Sequence, residues 1–260
     1  MLTRALNFFV AFFAVGILAG VFAVTGHAQT VAIPIDPANP KNVVQADLLL
    51  PAGDAKVPAL LIAPGEGYHR NLAITAGLAE SAAASGWATL RFDWRYYSNN
   101  PADGRASRDF IAEQADFEAA LAFLKKHPRV DASRIVIAGK SMGSIVAGRA
   151  FVADTTLRAL LLFTPVCRSG GDAAKNYHGV IADKRPVIVV MGNRDGICPL
   201  ANLYYWAKDG DPRIAVLTFP GDHGLLVGSA QDSALAPRKQ RNIDHAINAA
   251  VHWLNEIIAK

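Results

Sequence analysis

Seven short apolar runs recur between residues 41 and 260: QADLLL, PALLIAPG, ATLRFDW, RIVIAGK, ALLLFTPV, PVIVVMG and IAVLTFPG. Their cores are apolar at consecutive rather than alternate positions, the pattern of strands buried on both faces. Between the runs the period lengthens. In 108–127 the apolar residues Phe110, Ile111, Ala115, Phe117, Leu121 and Leu124 recur at three- and four-residue steps, which predicts an amphipathic helix closed by Pro128. Further helices are predicted at 72–85, 144–153, 201–208 and 238–258. Strands alternating with helices in this way predict an α/β fold, a mostly parallel central sheet with helices on both faces. No repeat, low-complexity tract or linker interrupts 41–260, so residues 29–260 are expected to form a single domain.

Sheets of this kind place their sites at the carboxyl ends of the strands. There the sequence reads Pro64-Gly65-Glu66-Gly67-Tyr68-His69-Arg70, Trp94-Arg95-Tyr96-Tyr97, Gly139-Lys140-Ser141-Met142-Gly143, Gly192-Asn193-Arg194-Asp195 and Pro220-Gly221-Asp222-His223-Gly224. By composition alone a G-x-S-x-G pentapeptide arises in a chain this long about once in ten. Its placement carries more information than its existence. A strand precedes it, a helix follows it, and an aspartate and a histidine stand at later strand ends. A serine hydroxyl needs a base to become a nucleophile. A histidine, titrating near neutrality, can take that proton and return it to a leaving group. A carboxylate can fix the imidazole tautomer and stabilise the imidazolium. Glycines at 139 and 143 suit a strand-to-helix turn too tight for side chains.

With GKSMG, GNRDGICP and GDHG in this order, the chain resembles the α/β-hydrolase superfamily over nearly all of 41–260. Within it, the chain is similar to small hydrolases without a lid, related to dienelactone hydrolase and to serine peptidase-like enzymes. Only about twenty residues separate ALLLFTPV from PVIVVMG, too few for a helical lid. The resemblance implies Ser141 as nucleophile, His223 as base and Asp195 as acid, with Asp172 and Asp222 as rival acids. It also implies an oxyanion hole from the backbone N–H groups of Met142 and Glu66, with the Glu66 carboxylate turned away. In this fold the ends of ALLLFTPV and PVIVVMG are neighbours, so Cys167 and Cys198 are a candidate disulfide bracing the acid loop.

His69, Arg70, Trp94 and Tyr96, with Tyr97, sit at neighbouring strand ends and are candidates for substrate contact; Lys140, inside the pentapeptide, is read as structural. The expected activity is hydrolysis of carboxylic esters of small molecules. A small serine peptidase or amidase, or a hydrolase-like binding protein without turnover, stands as the alternative. The histidines show no ligand spacing and no H-E-x-x-H or C-x-x-C is present, so no metal is expected. No G-x-G-x-x-G or Walker loop occurs, so no nucleotide cofactor is expected either.

The remaining composition changes the picture in two places. Net charge is +4, but acidic and basic residues are interspersed, and nucleic acid is not expected as a partner. At the N-terminus, Arg4 precedes an uncharged apolar stretch from Phe8 to Val24, followed by Gly26-His27-Ala28. Residues 1–28 read as a secretory signal peptide cleaved after Ala28, with an uncleaved membrane anchor as the alternative. Either reading predicts a periplasmic or secreted domain.

Overall fold

The computed structural model describes residues 28–36, 38–39, 42–102, 104–208, 213–227 and 236–259; the expected export segment, all but Ala28, lies outside them. Eight strands form one sheet: β1 (Gln29–Pro34), β2 (Val43–Leu49), β3 (Val57–Ala63), β4 (Ala88–Phe92), β5 (Val130–Lys140), β6 (Ala159–Phe163), β7 (Val187–Gly192) and β8 (Ile214–Phe219). Among the described residues seven α-helices connect or flank them: α1 (Ala73–Ala84), α2 (Arg95–Asn99), α3 (Ile111–Lys126), α4 (Met142–Ala153), α5 (Gly170–Asn176), α6 (Leu200–Ala207) and α7 (Ala236–Ala259).

The sheet order is β1-β2-β4-β3-β5-β6-β7-β8. From β4 to β8 all neighbours are parallel, while β2 runs antiparallel to both β1 and β4. The apolar runs explain this layering. In β3, Ala59, Leu61 and Ala63 face the layer of α3, α4, α5 and α6, whereas Leu60 and Ile62 face the layer of α1 and α7. A strand with apolar contacts on both sides reads as one continuous apolar run.

Two expectations change. The 108–127 helix is divided: a 3-10 turn at Arg108–Phe110 carries Asp109 and Phe110 at φ 56° and 59°, and α3 starts only at Ile111. The cause is a local polar clasp. Ser107 Oγ accepts from the Ala112 N–H at 2.9 Å and donates to Glu113 Oε2 at 2.6 Å, fixing the start of the helix from outside. β1 is the second change, an eighth strand that the apolar pattern did not announce, because of its residues only Ile33 is buried.

Candidate active site

β5 and α4 meet at Ser141, whose backbone stands at φ 52°, ψ −122°. That is a strained conformation for a residue with a Cβ, held in place by its surroundings. A Cβ at Gly139 would collide with the Gly143 carbonyl, and one at Gly143 with the carbonyl of Pro64, so both flanking positions need glycine for space. The Ser141 N–H donates to the Phe163 carbonyl at 3.0 Å, tying the elbow to the end of β6. Its own carbonyl accepts from Ser144, whose hydroxyl also lies 2.8 Å from that of Tyr177. Tyr177 accepts in turn from the Val166 N–H at 2.7 Å, and burial pushes its hydroxyl pKa up. This chain fastens the elbow to the loop after β6.

β7 and β8 run side by side and end at the partners of the serine. His223 Nε2 lies 2.9 Å from Ser141 Oγ, and His223 Nδ1 lies 2.8 Å from Asp195 Oδ2. The Asp195 side chain is inaccessible to solvent, and its other oxygen accepts from the Ile197 and Cys198 N–H groups at 2.8 and 3.0 Å. A buried carboxylate with this full set of donors is held in one orientation. The two loops approach so closely that a Cβ at Gly192 would collide with the carbonyls of Gly221 and Asp222. Asn242 on α7 completes the histidine loop by donating to the carbonyls of Pro220 and Leu225.

The rival carboxylates have other occupations. Asp172 makes a reciprocal capping box with Ser169 at the start of α5. Asp222 Oδ1 accepts from the N–H groups of Gly224 and Leu226 and shapes the turn that presents His223.

Above the elbow passes the loop between β3 and α1. A Cβ placed on Gly65 would lie 3.3 Å from the Cβ of Ser141. Among the described residues, no protein acceptor takes the N–H of Met142 or of Glu66, and the Glu66 residue is exposed. Met142 is the first residue of α4, so its N–H also carries the positive end of that helix.

Three candidates for substrate contact turn out to hold this loop. Trp94 is fully buried and donates its indole N–H to the Pro64 carbonyl at 3.2 Å, leaving no surface for a ligand. The Tyr96 hydroxyl accepts from the Gly67 N–H at 3.0 Å, and burial raises its pKa to about 12. Arg70 is ion-paired with Asp93 and Asp47, and its backbone N–H reaches Asp93 at 2.6 Å. In a sequence, strand-end aromatics and cations look alike whether they face a ligand or a neighbouring loop; of the three, Trp94 alone is fully buried and so closed to a substrate, while Tyr96 and Arg70 are half-buried. His69 is exposed and accepts from the Asn71 N–H at 3.1 Å, with the Tyr97 ring tilted beside it at 6.1 Å between centroids.

Cys167, after β6, and Cys198, after β7, form a disulfide with 4.3 Å between Cα atoms. It joins the loop anchored by Tyr177 to the one carrying Asp195. Tyr177, Asn242 and Ser144 were not singled out in the sequence, where no local pattern marks them.

The profile of the alpha/beta hydrolase domain family matches residues 56–255, and the chain belongs to that family. It is 27% identical over 186 residues to the quorum-quenching protein AidA of Acinetobacter baumannii, covering 65% of this chain and 61% of that protein. The chain thus spans less than two thirds of this relative's length. Among solved structures, dienelactone hydrolase of Anabaena variabilis is similar with a TM-score of 0.68 and 17% identity, over 89% of this chain and 98% of that one. A serine hydrolase without lid from Xanthomonas campestris is similar with a TM-score of 0.61 and 18% identity, over 87% of this chain and 94% of that one. At these identities the structural likeness speaks to the fold alone.

Proposed function

We propose that the protein is a serine hydrolase that cleaves carboxylic esters through an acyl-enzyme. The observation that carries this reading is the unbroken chain of bonds from Ser141 Oγ through His223 to the buried Asp195. His223 takes the hydroxyl proton as Ser141 attacks the acyl carbon, and Asp195 stabilises the imidazolium. The negative charge that develops on the carbonyl oxygen is met by the N–H groups of Met142 and Glu66, fixed before the reaction begins. His223 then passes its proton to the departing alcohol. A water molecule, activated by the same imidazole, releases the acid and restores Ser141. No helical lid lies between β6 and β7, where α5 spans only Gly170–Asn176, and this favours small, accessible esters. We also propose export: the apolar N-terminus supplies the signal, and a disulfide suits an oxidising compartment.

The test is hydrolysis of chromogenic esters from acetate to dodecanoate by residues 29–260 and by the Ser141→Ala variant. Turnover is expected to peak at short chains and to fall about a millionfold in the variant, the scale on which a triad serine acts. Turnover of amides but not esters, or turnover that survives in Ser141→Ala, would overturn the proposal.

A further inference from the structure

Next to the triad, on the α1 and α7 side of the sheet, lies a cavity of about 260 Å³. Its lining is apolar at Leu72, Ile74, Leu226 and Ile243, and polar chiefly at Lys140 and Tyr68. Lys140 precedes Ser141 but extends to the opposite side from the elbow's helix. It is only 3% exposed, and among the described residues no carboxylate or carbonyl accepts from its ammonium. The Tyr68 ring lies 5.1 Å from Nζ to centroid, and Asp195 and Asp222 act on the charge only through space. A buried ammonium without an anionic partner is costly to keep.

A second feature faces the same space. α1 begins at Ala73 with no side-chain cap and no acidic residue in its first turn, and Leu72, Ala73 and Ile74 line the cavity. The free N–H groups of that turn and the helix dipole favour an anion there.

We infer that this cavity receives a carboxylate carried by the substrate, with Lys140 and the first turn of α1 as its receptors. The apolar walls select an organic acid over a bare inorganic anion. Gly224 and Lys140, the neighbours of His223 and Ser141 in the chain, both line the cavity, so the bound group lies next to the triad loops. Burial lowers the Lys140 pKa to about 8, opposed through space by Asp195 and Asp222, so the side chain is still mostly charged at neutral pH. The substrate class implied is the half-ester of a dicarboxylic acid or a similar acidic ester. This rests on the proposed esterase activity for its meaning, but its ligand can be detected without turnover.

The experiment has two arms on residues 29–260, with wild type, Lys140→Met and Lys140→Arg. Benzoate and inorganic phosphate are titrated by calorimetry or by chemical-shift changes. Separately, monomethyl half-esters from succinate to adipate are compared with methyl esters of the matching fatty acids. Wild type is expected to bind benzoate at low-millimolar concentration or below, with at least tenfold loss in Lys140→Met and partial recovery in Lys140→Arg. The preference for half-ester over neutral ester should fall by a similar factor in Lys140→Met. Equal benzoate binding by wild type and Lys140→Met, phosphate bound as tightly as benzoate, or an ester preference indifferent to position 140 would overturn the inference. Should no ester be cleaved while benzoate still binds through Lys140, the esterase reading fails and the carboxylate site stands.

Discussion

The two flanks of Ser141 are held by different means. On the acid side, Asp195 is gripped by N–H groups two and three residues away, its loop is stitched to the next by a disulfide, and glycine contacts lock it against the histidine loop. On the oxyanion side, the loop after β3 is held by distant side chains. Trp94 reaches Pro64 across 30 residues, Tyr96 reaches Gly67 across 29, and Asp93 reaches Arg70 across 23. A proton path needs one fixed geometry through two hydrogen bonds, and backbone donors, a covalent bridge and close backbone packing give it. An oxyanion hole only has to present N–H groups to a passing charge, and tethers at a distance suffice. The acid flank should therefore fail sharply when its chemistry is removed, and the oxyanion flank gradually.

The largest effect is expected from Asp195→Asn. The amide oxygen can still accept from Ile197 and Cys198, so the loop keeps its shape. What is lost is the charge that fixes the tautomer and steadies the imidazolium, and kcat should fall about 10⁴-fold. Thermal unfolding should barely move. Asp172→Asn, which touches only the α5 cap, should leave kcat within a factor of two or so. A fall of less than tenfold in Asp195→Asn, or an equal fall in Asp172→Asn, would show that the acid is assigned to the wrong carboxylate.

Removing the disulfide comes next and separates stability from chemistry. Cys167 and Cys198 close a loop with a sequence separation of 31. Bridges of this kind contribute about 2–4 kcal/mol. In a domain of this size that corresponds to a Tm lower by about 10 °C in the Cys167→Ser, Cys198→Ser double variant. Because Asp195 keeps both backbone donors, activity at 25 °C should drop much less than in Asp195→Asn. An unchanged Tm would mean that backbone bonds such as Cys167 N–H to Ile197, at 3.2 Å, already hold the loop.

The same contrast governs what could be read in the sequence. Ser141, Asp195 and His223 were legible because each closes an apolar run, and parallel strands bring their carboxyl ends together. The glycines at 139 and 143 were legible with them, whereas the close backbone approach at Gly192 and Gly221 shows only once β7 and β8 lie side by side. The oxyanion tethers were not. Trp94 and Tyr96 could be placed at a strand end, but whether they face a ligand or the next loop depends on β4 lying beside β3, a pairing set by crossovers rather than local pattern. Tyr177 was hidden for the same reason, since its partner Ser144 lies 33 residues away. Lys140 was visible inside the pentapeptide, but a sequence does not show that its side chain is buried beside the Tyr68 ring.

The smallest effect is the one that tests the oxyanion side. Tyr96→Phe deletes the acceptor of the Gly67 N–H and little else, since the ring can stay where it packs. Gly67 stands at φ 68°, a conformation its lack of side chain permits but nothing local enforces. Without the tether the loop carrying the Glu66 N–H should sample more positions. One neutral hydrogen bond is worth about 1 kcal/mol, which as a loss of transition-state stabilisation is about a fivefold fall in kcat. KM should hardly change, because a loosened oxyanion donor weakens the transition state more than the bound ester. The discriminating readout is the split between the two constants, measured on one short ester. A rise in KM with kcat intact would instead place Tyr96 against the substrate, and the oxyanion flank would then be held by Trp94 and Arg70 alone.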